Sequence, residues 1–404
     1  MQRLRNGVQR YEWGSPVAIP QFMGVTPEGG PVAEMWIGTH PLNPSMVAGG
    51  ERGHTFLSEA VGDMPFMLKV LAADRPLSLQ VHPSLEQAQF GFEMEEAAGV
   101  PIDAPERVYK DANHKPEMVY ALTTFDSLIG FRPTAEILRV LSPLDAPLAR
   151  QLAADLRADP GFAGIVRRLQ WLLTSDVTSD EISEVVKACQ VLAEHGLDVK
   201  RAYVTAVELA EAFPNDVGVV ISLLLNRMTL QPGEAAFLET GVIHAHLRGM
   251  CLEVMASSDN VLRAGLTNKH IDPLGLVACL DTGMARVARV TPDYQLADAE
   301  VFSPAGVDFA LAVAQVCPAD DGGVELVKAG ATLLICTGGE VTVRNAAQQE
   351  EVLRRGESLV LTTTDESVTV HGLGEVVTAF APRERAGRSL MVDVLPRYLD
   401  RRQP

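Results

Sequence analysis

Aromatic residues make up only 5% of the 404 positions in this chain, so aliphatic side chains must fill most of any core. Cysteine is scarcer still. The five present, Cys189, Cys251, Cys279, Cys317 and Cys336, are odd in number and show no C-x-x-C spacing. That excludes a disulfide framework or a Cys-rich zinc knuckle and fits a reducing compartment. Low-complexity segments are absent, and no uncharged apolar run reaches the roughly 18 residues of a membrane-spanning helix. The opening stretch MQRLRNGVQRYEWG lacks the apolar core of a secretory signal, so a cytoplasmic location is expected. Positive charge is also short: 34 Lys and Arg stand against 52 Asp and Glu, a formal net charge of −18. A field of that sign disfavours nucleic acid and anionic membranes. An anionic substrate would therefore need a local basic cluster.

What is present is organised in blocks, and the length allows two or three domains. Residues 1–133 are rich in Gly and Pro and carry short apolar runs, PFMLKVL, LSLQVH and EMVYAL, that read as strands. A short helix is expected within GFEMEEAAGV. After Phe131-Arg132-Pro133 the text becomes rich in Ala, Leu, Arg and Glu. Thr178 to Glu181 reads as a capping box. Behind it Ile182, Val185, Val186, Cys189 and Ala193 recur at helical spacing, and Gly196 is a natural stop. Residues 134–217 are thus expected to form a helical insertion, with His195 on its surface. Strands resume over 218–285 and again over 286–404, where short runs alternate with Gly turns, the pattern of a sandwich or jelly roll. A weak repeat, LQPGEAAFL at 230–238 and LRRGESLVL at 353–361, supports two β units. Where the first copy leads to His244 the second leads to Ser367, so the C-terminal unit is expected to lack a metal site.

Four clusters carry chemistry. In LSLQVHPS, Gln80 and His82 lie two apart on a strand and so share a face, where two neutral donors can hold one metal ion. Glutamine is an unusual zinc ligand. In NHKPEMVY, Lys115 and Glu117 share a face if extended, and Glu117 is either a third ligand or half of a strand salt bridge. In VIHAHLRG, His244 and His246 alternate onto one face, as a metal pair or as surface residues. In CLEVMASSDNVLRAGLTNKHID, the small polar run ASSDN reads as a shaped loop rather than core. That segment supplies Glu253, Asp259, Arg263 and Lys269. Arg263 and Lys269 are candidates for the anion site, since arginine suits bidentate phosphate contact and lysine a point charge. The alternative is solvated surface charge. His40, His54, His270 and His371 are expected to be structural or exposed, and Trp13 and Trp36 to fill a core.

Together YEWGS, AEMWIGTHP, PFMLKVLAADRPLS, LQVHP, NHKPEM, IHAHLRG and EVMASSDNVLRAGLTNK resemble the motifs of type I mannose-6-phosphate isomerases, over about residues 8–281. The resemblance implies a mainly β fold: a cupin (jelly-roll) catalytic domain of residues 1–133 and 218–285, the helical insertion, and a second cupin-like β domain. It implies one Zn2+ per chain on Gln80, His82, Glu117 and His244. His246 stands where the family usually has tyrosine, and TNK stands for TPK, leaving the loop at Asn268 less restrained. Arg263, Lys115, His114, Asp259 and Glu253 match the family's catalytic positions; Ser78, Lys269 and Arg263 are placed toward phosphate. The implied activity is interconversion of mannose 6-phosphate and fructose 6-phosphate by a monomer, with no nucleic-acid or membrane partner. Two other readings remain at this level. A non-haem iron oxygenase would show two His and one carboxylate, against which Gln80 counts. A sugar-binding cupin without catalysis would have no need of Arg263, Lys115 and Asp259.

Overall fold

Two large antiparallel sheets face each other across a shared aliphatic core. Met35, Leu68, Val70, Leu252 and Val254 from one sheet pack against Leu311, Leu333, Ile335, Val360 and Val377 from the other. The computed structural model describes residues 1–49, 53–281, 288–296, 298–318 and 322–382, with strand pieces at 384–385 and 388–389. The expected start of the C-terminal unit at 286 and its tail beyond 389 lie outside the described residues. The mainly β architecture with helices between its strands is the one expected.

The first sheet runs in the order Ala288–Val290, Ala235–Leu238, Glu117–Ala121, His244–Ala256, Phe66–Ala73, Glu34–Ile37, Gly7–Gln9. Its spine is the 13-residue strand His244–Ala256. From Gly249 onward it pairs with Phe66–Ala73, and from Cys251 also with Glu117–Ala121. Before that point it pairs with Leu79–Val81 and Phe125–Phe131 in the opposing layer. Gly249 sits at the changeover with φ +115, and a Cβ there would lie 2.3 Å from the Thr124 carbonyl oxygen. Only glycine lets the strand leave one layer for the other. That bend closes the roll.

The segment 134–222 is helical: Thr134–Leu141, Pro147–Ala158, Phe162–Thr174, Ser179–Glu194, Ala202–Ala212 and Gly218–Ser222. The Thr178 hydroxyl accepts from the Glu181 N–H while the Glu181 carboxylate accepts from the Thr178 N–H, the reciprocal cap read from the sequence. His195 is exposed at the end of that helix. The helices pack into the same apolar cluster as Leu79, Val81, Leu128, Ile243 and Leu262. Their burial holds the strand whose middle residue is Gln80. The helix expected within GFEMEEAAGV is longer and earlier, Leu85–Ala97, opened by a capping box between Ser84 and Gln87 that the sequence reading overlooked.

The second sheet contains Ala299–Phe302, Ala310–Val316, Val368–Phe380, Thr332–Asn345 and Ser358–Leu361. The chain's own first strand, Gln2–Arg5, adds to its edge, followed by Met46–Ala48 and His54–Phe56. Sheet membership therefore does not follow the division at 1–133 drawn from composition. Both repeat segments turn through a glycine at φ +88, Gly233 and Gly356.

Asp126 ties the helices to the sheet. Its carboxylate accepts from Arg227 at 2.7 Å and from the Thr229 hydroxyl, and Arg227 also reaches Glu208 on the Ala202–Ala212 helix. Burial opposes the charge on Asp126, but hydrogen bonds from Arg227 and Thr229 hold its carboxyl below the ordinary range. Asp126→Asn is expected to destabilise the fold by about 2–3 kcal/mol at neutral pH, because a guanidinium whose side chain is 4% exposed then keeps only Glu208 as a counter-charge. A carboxyl lowered on folding stabilises above its unfolded pKa and loses that contribution as pH falls through the folded value. The difference between wild type and variant in urea melts should thus shrink below about pH 4.

Candidate active site

Gln80, His82, Glu117 and His244 come from three different strands and meet at one point. In register, Gln80 is the cross-strand neighbour of both His244 and Arg263. Leu79 and Val81 turn the other way into the helical core, which aims Gln80 at the roll interior. His82 Nε2 lies 3.3 Å from one Glu117 oxygen and His244 Nε2 lies 3.4 Å from the other. The Gln80 amide is 3.1 Å from His244 Nε2. Amide oxygen and nitrogen exchange by a half-turn, so the oxygen reaches the same position. Both imidazoles are oriented from behind, His82 Nδ1 at 2.7 Å from the Asn260 carbonyl oxygen and His244 Nδ1 at 2.9 Å from that of Val242. These contacts place the proton on Nδ1 and leave each Nε2 lone pair facing inward, the usual arrangement behind metal-bound histidine.

Buried polar atoms are nearly always satisfied. His82 Nε2 and Glu117 Oε2 are both buried without a hydrogen-bond partner. Two imidazole nitrogens, one carboxylate and one amide oxygen converging on that point suit a zinc-like divalent ion. The electrostatics agree. Burial, and after it the Lys115 ammonium, pushes the His82 pKa down to about 4, so its ring is neutral and free to ligate at neutral pH. Burial works against ionising Glu117, but Lys115, with Nζ 3.1 Å away, and the two histidines hold its carboxyl well below the ordinary range.

Above these donors opens a cavity of about 760 Å³. Ser78, Lys115, Glu253, Asp259, Arg263 and Lys269 line it, with Gln80 and Glu117 at its floor. Asp259 is an open carboxylate there, its side chain 37% exposed, and Glu12 and Asp216 at the rim are others. Burial raises its pKa, but the His40 contact 3.3 Å away outweighs that and keeps the carboxyl below its usual value. Burial lowers the pKa of Arg263, and burial together with Arg263 lowers that of Lys269, so the two cations stand near enough to repel one another. His114 is not brought here. It lines a separate cavity with Ser84, Gln87 and Glu239, because consecutive residues of the extended NHKPE segment point to opposite sides.

Other residues enter that the sequence reading left aside. Lys69 lies directly across from Glu253 and from Trp36 in the sheet. Its ammonium sits 3.4 Å from Glu253 and 3.5 Å from Glu34, over the Trp36 ring at 5.1 Å. Desolvation disfavours the Lys69 charge, but Glu34 and Glu253 outweigh it and raise its pKa. A lone lysine inside the wholly buried strand Phe66–Ala73 was the available signal. His40, expected to be structural or exposed, is buried against Asp259; Trp36 is buried with Met67 and Met255 and Trp13 packs on a second cluster, as expected of core residues, while both also line the cavity. His246 stands beside the four converging donors, in a second group with Glu117 and Glu253 whose ligand atoms lie within 4.8 Å of one another. Its Nδ1 is 3.0 Å from the Ser127 hydroxyl and its Nε2 3.4 Å from Glu253.

Known proteins match both sequence and shape. Residues 1–134 match the family model for the catalytic domain of type I phosphomannose isomerase. The mannose-6-phosphate isomerase of Escherichia coli K12 is 38% identical over 400 residues, covering 94% of this chain and 99% of that protein. A zinc-bound crystal structure of mannose 6-phosphate isomerase superposes with a TM-score of 0.84 at 34% identity, over 94% of this chain and 99% of that one. The Salmonella typhimurium enzyme crystallised with fructose 6-phosphate and zinc superposes at 0.83, with the same identity and coverage.

The two histidines of the IHAH run are separable by metal content. Elemental analysis of the purified protein should find the divalent ion lost in His244→Ala and retained near one per chain in His246→Phe. The reverse pattern would overturn the assignment of the donors.

Proposed function

The chain belongs to the type I phosphomannose isomerases and interconverts mannose 6-phosphate and fructose 6-phosphate with zinc, and we propose how its residues divide that work. The observation that carries the proposal is the pair of partnerless buried atoms, His82 Nε2 and Glu117 Oε2, directed at one point beneath a cavity that holds Arg263 and Lys269. Gln80, His82, Glu117 and His244 hold one zinc ion. Bound zinc supplies a Lewis acid for sugar oxygens that gain negative charge as the C2 proton leaves.

The rest falls to the side chains. The reaction moves a proton from C2 to C1 while the hydroxyl and carbonyl oxygens exchange roles. Asp259 takes and returns the carbon-bound proton. It is ionised and open to the cavity, whereas the side chains of Glu117 and Glu253 are 2% and 4% exposed and tied to cations. A positioned base contributes about 10²–10⁴ in rate. Lys115, anchored on Glu117, donates to the sugar oxygens. Arg263, beside Gln80 in register, stabilises charge on the reacting oxygens or the phosphate. Lys269, with Ser78, takes the phosphate, giving the net −18 chain the local cation pair an anionic substrate requires. Glu253 is a positioning residue, held between Lys69 and His246. His114 receives no catalytic role, since it lines a different cavity.

Residues 1–133 with 218–285 make the catalytic unit, apart from the strands Gln2–Arg5, Met46–Ala48 and His54–Phe56 that pair into the second sheet; 134–217 make the helical unit, and the C-terminal β unit backs the catalytic sheet. What supports this division is the continuity of the helices over 134–212 and the core shared between the sheets. The chain works as a monomer, since one copy carries the whole donor set. It works in the cytoplasm, where free thiols such as buried Cys189, Cys251, Cys279 and Cys336 persist.

Two measurements test the division of labour. Asp259→Asn should lower kcat by about 10²–10⁴ with zinc content and KM near wild type, and Arg263→Ala should lose at least about tenfold in turnover. An Asp259→Asn enzyme within twofold of wild type removes the base assignment. Gln80 is neutral, so Glu117 is the only anionic ligand and the site keeps positive charge for a developing oxyanion. Gln80→Glu should therefore retain zinc and lose about tenfold or more in kcat; metal analysis and turnover on one sample would show it, and undiminished kcat at full zinc occupancy would sink the idea.

A further inference from the structure

The loop that carries Lys269 has an awkward backbone. Gly265 sits at φ +140 and Leu266, a branched residue, at φ +54 with its side chain buried. Such a conformation is strained and persists only where its surroundings impose it. The surroundings are one carboxylate from the far side of the cavity. Asp216 Oδ1 accepts from the Leu266 N–H at 2.9 Å and from the Gly218 N–H at 2.7 Å, while Oδ2 accepts from the Thr267 N–H at 3.2 Å. The Thr267 hydroxyl in turn accepts from the Lys269 N–H at 3.1 Å. Backbone meets backbone here: a Cβ on Gly265 would lie 2.8 Å from Gly218 Cα, and one on Gly218 would lie 2.8 Å from the Leu266 nitrogen.

Asp216 follows the Ala202–Ala212 helix and belongs to the segment 212–216 that walls one side of the cavity. We infer that Asp216 is a positioning residue for sugar-phosphate binding, through which the helical unit fixes the Thr267–Lys269 loop so that its cation and N–H groups meet the phosphate. The inference rests on the phosphate assignment to Lys269 made above. It gives the helical unit a part in the site beyond packing. The hydrogen bonds Asp216 accepts come from Gly218, Leu266 and Thr267 rather than from the four donors, so its effect belongs to binding of the anion rather than to proton transfer. Three N–H bonds to one carboxylate release together when it is removed, and Leu266 and Thr267 are then free to relax.

The test is steady-state kinetics of the zinc-loaded enzyme with mannose 6-phosphate, with inorganic phosphate as competing probe. Asp216→Ala should raise KM and the phosphate inhibition constant together, by about tenfold, with kcat within about twofold of wild type. Asp216→Asn keeps an oxygen for Leu266 and Gly218 but offers Thr267 a donor instead of an acceptor, so both constants should rise by only about threefold. That variant also serves if the alanine form does not fold. Unchanged KM and phosphate inhibition in both variants overturns the inference, and so does a lowered melting temperature with a matching loss of kcat alone. Lys269→Ala run alongside separates the two readings: if it leaves both constants unmoved, the phosphate assignment to Lys269 fails, whereas the Asp216 result is still decided by its own two constants.

Discussion

A carboxylate that is 1% exposed must be compensated where it stands, and Glu117 sets that condition for the whole site. Its two oxygens are met by His82, His244 and Lys115, drawn from segments far apart in the chain. Even with these partners one oxygen lacks a hydrogen bond, as does His82 Nε2. Burial of this kind destabilises a fold unless something of opposite charge completes it, and a divalent ion does so. The same burial keeps the His82 imidazole neutral and able to ligate.

The sheet around that centre exists in its present form because one strand serves two layers. His244–Ala256 presents His244 and His246 before the bend at Gly249 and Glu253 after it. Glu253 then falls opposite Lys69, and Lys69 opposite Trp36. The result is a row of alternating charge, Glu34, Lys69 and Glu253, that ends against the His246 ring inside an otherwise aliphatic wall. Such a row is stiff, because moving any member leaves another charge unpaired in low dielectric. It supports the cavity wall at a fixed height above the donors. The exposed chemistry lies on the loops: Asp259 on one, Thr267 to Lys269 on another, held across the cavity by Asp216.

Short motifs were legible where local geometry suffices. Gln80 and His82 share a face in any strand, Thr178 and Glu181 cap any helix, and the helical character of 134–212 follows from periodicity. His244 and His246 illustrate the limit. Alternation alone puts both on one face, yet the twist and the break in pairing just beyond His246 direct one ring to Glu117 and the other to Glu253. His40 and Lys69 had no local signature of partnership, since Asp259 and Glu253 are distant in sequence. His114 looked equivalent to Lys115 until the extended backbone sent them to opposite sides.

The amino-acid sequence by itself determined which donors were available, that no C-x-x-C pair is present, that a long helical stretch interrupts the strands, and that an anionic substrate would need a local basic cluster. These follow from residue type and period, which act over a few positions. Only the tertiary structure decided how the histidines stand around Glu117, that the first strand belongs to the last sheet, and that a carboxylate after the final long helix holds the loop of Leu266 and Thr267. Those outcomes depend on strand register and on which buried charges can neutralise one another, and both are settled only when segments separated by more than a hundred residues pack together.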